Sequence, residues 1–124
     1  MSLAQAKRAY GGNRVMTGTA LDLVVLLYER AILDVQRAQQ AASEGKWYES
    51  NAELGHARQI VLELLSSLDR ERGGEVAANL ASLYVFCASR LVPPAHAEGV
   101  QAAREVLDEL LAGYRELRSG RGGV

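Results

Sequence analysis

Glu53 and His56 stand three residues apart, a spacing that puts a carboxylate and an imidazole on one face of a helix. In duplicate, with two further glutamates, that motif builds the di-iron sites of helical bundles. The second copy is missing, because the other histidine, His96, has Pro93 three residues before it. The pair therefore reads as part of a polar helix surface, and no metal is expected. A thiol and an imidazole could make a nucleophile pair, but Cys87 recurs in helical register with Leu80, Tyr84 and Leu91, which puts it on an apolar stripe. Gly11-Gly12 and Gly73-Gly74 do not open the strand-to-helix turn that cradles phosphate. Paired acids such as Asp108 and Glu109, or Glu71 and Glu75, belong to mixed-charge helical faces. Asn79 precedes Leu80 on an otherwise apolar-rich segment, and its amide offers donors and an acceptor that could hold a partner backbone or fix a loop. No catalytic residue and no cofactor is expected.

The elements that must position these groups are helices. In 124 residues, 48% are hydrophobic and only 6% aromatic, and Leu, Ala and Val carry the apolar share. Leu21, Val24, Tyr28, Ala31, Val35, Ala38 and Ala42 recur at steps of three and four from a start at Thr19, whose hydroxyl would cap the helix, to a stop at Gly45. A second helix is predicted from Trp47 to Arg70 on Leu54, Ala57, Val61, Leu64, Leu65 and Leu68, with Gly73-Gly74 as its left-handed stop. The third carries Val76, Leu80, Leu83, Tyr84, Cys87 and Leu91 and closes at Pro93-Pro94. The fourth runs from about Ala97 to Arg118 on Val100, Ala103, Leu107, Leu110, Leu111, Tyr114 and Leu117.

Short links between four such helices predict an all-α, antiparallel up-down-up-down four-helix bundle over residues 19–118. An N-terminal arm over residues 1–18, with a short helix from Leu3 to Tyr10, and a disordered Gly-rich tail over residues 119–124 are expected. A net charge of −1 gives no field for nucleic acid. No apolar run suits a membrane span or a signal peptide, and one cysteine fits a reducing compartment, so a cytoplasmic location is expected. The first helix has more apolar residues than one stripe needs, with Leu23, Val25, Leu26, Leu27 and Leu33 off the seam, and the second adds Ile60 and Leu62. That surplus is either packed inside or covered by the arm, a second copy or another protein.

Tyr10, Asn13, Val15, Thr17 and Thr19, followed by Leu26-Leu27-Tyr28-Glu29-Arg30-Ala31-Ile32, resemble the N-terminal signature of the flagellar secretion chaperone FliS family. Glu63-Leu64-Leu65-Ser66-Ser67-Leu68-Asp69, then Glu71, Gly73-Gly74-Glu75-Val76-Ala77, Asn79-Leu80 and Leu83-Tyr84, are similar to its central motif. The chain departs from that pattern at Thr19-Ala20, which replaces Ser-Pro, at Val85, where an acid is usual, and at Pro93-Pro94. The resemblance implies a helical bundle that binds the C-terminal region of flagellin in the cytoplasm, prevents its premature polymerisation and presents it for export. On that basis Leu23, Leu26, Tyr28, Ile60, Asn79, Leu80 and Tyr84 are the candidate flagellin-binding groove. Tyr10, Val15 and Met16 are the candidate cap that covers the groove until the client arrives. Flagellar export components are further implied partners. The alternative is a homodimerising helical bundle without a flagellin client.

Overall fold

The structure, a computed structural model, describes Gln5 and residues 18–120. Of the expected arm helix only Gln5 is described, in helical conformation, and the cap residues Tyr10, Val15 and Met16 lie outside the described residues. Within residues 18–120 four helices follow in order: α1 Gly18–Ser43, α2 Trp47–Ser66, α3 Arg70–Arg90 and α4 Ala97–Arg118. Among the described residues there is no strand. Each helix packs on its two chain neighbours and α4 returns to α1, which closes a four-sided bundle.

Side-chain pairs give the antiparallel register. Along α1 and α4, Asp22 meets Arg118 at 3.9 Å, Glu29 meets Arg115 at 2.7 Å, and Gln39 meets Gln101 at 2.9 Å. Ascending numbers on α1 thus pair with descending numbers on α4. The core is the set of inward stripes: Leu21, Val24, Ala31 and Val35 from α1, Leu54, Ala57, Val61 and Leu64 from α2, Ala77, Leu80 and Leu91 from the α3 side, and Val100, Ala103, Leu107 and Leu111 from α4. Three tyrosines sit at its centre, all fully buried. Tyr28 of α1 stacks on Tyr114 of α4 with ring centroids 5.2 Å apart, and its hydroxyl meets the hydroxyl of Tyr84, which comes from the diagonally opposite helix α3.

Helix boundaries follow local chemistry. Helix α1 is described from Gly18, one residue before the expected start at Thr19. Its C-terminus closes as expected at Gly45, where φ is 73°. The Lys46 N–H reaches back to the Ala41 carbonyl at 2.9 Å and the Gly45 N–H to Ala42 at 3.0 Å, the paired bonds of a left-handed glycine cap.

The end of α2 corrects the sequence expectation. It stops at Ser66, and Gly73-Gly74 is not its terminator. The Ser66 and Ser67 hydroxyls donate to the Glu63 and Leu64 carbonyls, three residues back, and so compete with continued helix. Asp69 then caps α3 by accepting from the Arg72 N–H at 3.1 Å. The glycine pair lies one turn into α3, where Gly74 takes φ 53° and ψ −129° and bends the helix start.

A side chain added at Gly74 would touch nothing within 4 Å, so its cost is purely that of the backbone. Gly74→Ala is expected to destabilise the fold by about 1–3 kcal/mol, the usual cost of forcing a side-chain-bearing residue into such a conformation. Urea unfolding followed by circular dichroism measures it, and an unchanged midpoint would contradict the backbone assignment.

Candidate functional site

The surplus apolar residues of α1 and α2 divide into three groups. Val25 is fully buried and belongs to the core. Leu27, Leu33 and Ile60 are half-buried, with Leu27 and Ile60 packed against the core edge. Leu23 and Leu26 are 56% and 59% exposed, and Leu62 is also exposed. Leu23, Leu26 and Leu27 lie within one turn of α1, at the spacing of a single helix face. The antiparallel register that joins Ala38 to Ser50 through a 2.8 Å hydrogen bond brings that turn of α1 alongside the Ile60 region of α2. An apolar strip with two projecting leucines and a half-buried floor therefore runs along one edge of the bundle.

The seven groove residues expected from sequence are not gathered into one surface. Leu23 and Leu26 project from α1, and Ile60 is half-buried on the stretch of α2 that the antiparallel register brings alongside. Tyr28, Leu80 and Tyr84 point inward and are buried. Asn79 is exposed on α3, away from α1. Exposed apolar side chains on α3 are instead Leu83 and Val85.

A second apolar feature, which sequence reasoning missed, lies at the opposite end of the bundle. Trp47 and Tyr48 open α2 and are 63% and 88% exposed. Trp47 borders a cavity of about 800 Å³ lined also by Ala38, Ala42, Leu54, Pro94 and Val100, with Gln39, Ser43, Ser50, Asn51 and Gln101 as its polar groups. The available signal was two adjacent aromatics in front of a stripe that does not include either.

The chemistry-bearing groups are placed as follows. Cys87 is buried, with Sγ 3.7 Å from the Ala103 carbonyl, and burial pushes its thiol up to about 11. Such a thiol carries almost no thiolate at neutral pH. His56 and His96 are both exposed. Among the described residues, no three His, Cys, Asp or Glu side chains are placed to hold a metal ion, and no helix is long and apolar enough to cross a membrane. Burial pushes the carboxyl of Asp34 up, against the pull of Arg30, with Glu53 adding to the rise and His56 opposing it. Its interruption of the apolar run Ala31, Ile32, Val35 was the sequence signal for an unusual group.

What the site offers is apolar contact area. Residues 3–121 match the family model described as flagellar protein FliS. The chain is 32% identical to the flagellar secretion chaperone FliSB of Pseudomonas aeruginosa, covering 82% of this chain and 78% of that protein. It is 28% identical to the flagellar secretion chaperone FliS of Bacillus subtilis over 100% of this chain and 99% of the relative. Against the Vibrio cholerae flagellar secretion chaperone FliS the identity is 27%, over 95% of this chain and 84% of the other.

Proposed function

We propose that this chain, which belongs to the FliS family of flagellar proteins, is a secretion chaperone whose client is the C-terminal region of flagellin. The observation that carries the proposal is the exposed pair Leu23 and Leu26 above the half-buried Leu27 and Ile60. A polymer-forming subunit must keep its assembly segment unfolded or unpartnered until export, and such a segment is amphipathic when it orders. An apolar strip on a rigid bundle accepts it as a helix laid in a groove. Burial at about 25 cal/mol per Å² of apolar area supplies the affinity, less the cost of ordering the client.

Binding of this kind needs no turnover, nucleotide or metal, and it takes place in the cytoplasm before export. Flagellar export components would then take over the loaded client. Tyr10, Val15 and Met16 are assigned to a cap over the strip in the free protein. In this reading the arm is residues 1–18, the bundle residues 19–118 and the tail residues 119–124. Tyr28, Leu80 and Tyr84 serve the site from beneath, by holding α1 and α3 in place, while Leu23, Leu26 and Ile60 touch the client.

An equimolar amount of the protein is expected to suppress the polymerisation of its cognate flagellin, followed by light scattering. Unaltered polymerisation, with the chaperone running as a stable dimer, would favour the homodimerising alternative.

A further inference from the structure

The α1–α2 interface holds a carboxyl pair that neither the bundle core nor the apolar strip uses. The Asp34 side chain is 1% exposed, and both its oxygens are sealed from solvent with no well-formed hydrogen bond to either. Glu53 of α2 comes against it, and the Glu53 Oε2 atom is sealed and without a donor as well. Arg30 Nε stands 3.1 Å from Asp34 Oδ1 on a half-exposed side chain. His56 is the other titratable group of α2 that acts on Asp34. From α4, the other helix packed on α1, the basic groups are directed elsewhere: Arg104 to Gln39 and Asp108, Arg115 to Glu29 and Arg118 to Asp22.

Ionised carboxylates only accept hydrogen bonds, so two of them cannot satisfy each other. One guanidinium also neutralises only one of the two charges. A single proton removes both deficits, because it donates between the facing oxygens and leaves one negative charge opposite Arg30. We propose that Asp34 and Glu53 hold one shared proton and form a proton-controlled clasp between α1 and α2.

Burial pushes the Asp34 carboxyl above its usual value of 3.8, which agrees with such a shared proton. A carboxyl raised in this way binds its proton more tightly in the folded chain than in the unfolded one. Its contribution to stability is complete at low pH and is lost as pH rises through the folded-state titration. Leu27 and Asp34 are two helical turns apart, as are Glu53 and Ile60, so the clasp lies on the same seam as the apolar strip.

The test is a carboxyl-carbon NMR titration of the full chain with ¹³C-labelled Asp and Glu, in wild type and in Glu53→Gln. The variant keeps the side-chain length and supplies an N–H donor where the proton would sit. In wild type the Asp34 signal should titrate with its midpoint above the usual value of 3.8. In Glu53→Gln the Asp34 midpoint should fall, and the pH slope of the thermal midpoint over that range should shrink. An Asp34 midpoint at its ordinary value in wild type would overturn the proposal on its own. An Asp34 midpoint left in place by Glu53→Gln would do the same.

Discussion

Tyr84→Ala is expected to lower the unfolding free energy by about 3–5 kcal/mol, the range for removing a large ring from a packed core. Tyr84 is fully buried on α3 and its hydroxyl meets that of Tyr28 across the bundle diagonal. Tyr28 in turn stacks on Tyr114, so three of the four helices converge on this cluster. Truncation removes both the ring volume and the diagonal link. Tyr84→Phe keeps the ring and loses one hydroxyl, and the expected cost is about 0.5–1.5 kcal/mol, the net worth of one hydrogen bond. Urea unfolding of both variants separates the two contributions. A loss below about 1 kcal/mol for the alanine variant would mean that the cluster does not organise the bundle.

The second large effect is on binding. Leu23 and Leu26 project from the bundle and are more than half exposed, so a double Leu23→Glu, Leu26→Glu variant should change the stability of the bundle by no more than about 1 kcal/mol, about 0.5 kcal/mol for each surface substitution. If a client helix buries both leucines, each contributes about 1.5–3 kcal/mol, and the charges would have to be buried in their place. At 1.4 kcal/mol per factor of ten, the double variant should bind the flagellin C-terminal segment at least about 100-fold more weakly. Tyr48→Ala, at the other end of the bundle, is the control and should bind as wild type does. Equal affinity of the double variant and wild type would remove the α1–α2 strip from the client site.

Much of this architecture was legible from residue spacing, because the three-and-four recurrence of Leu, Ala and Val reports which face of each helix turns inward. Gly45 was readable for the same kind of reason, since a glycine after an apolar stripe has one common use. The α2–α3 junction was not. Gly73-Gly74 resembles a stop, but Ser66, Ser67 and Asp69 act earlier, and capping by a side chain takes effect wherever the first suitable oxygen meets a free amide. Periodicity also cannot say how deep a residue lies on its face. Leu23 and Tyr28 are both apolar groove candidates by type, yet one projects into solvent and the other is sealed at the bundle centre. Trp47 and Tyr48 sit at a helix start, where too few turns exist for a period to place them. Asp34 was visible as an interruption, but its partner Glu53 is on another helix, and only the packing of α1 on α2 brings them together.

Isothermal titration of the protein with a synthetic peptide of the flagellin C-terminal region tests the central claim most directly. The account predicts saturable one-to-one binding with a negative heat-capacity change, the signature of apolar burial. No detectable binding of that peptide by the folded protein would contradict it.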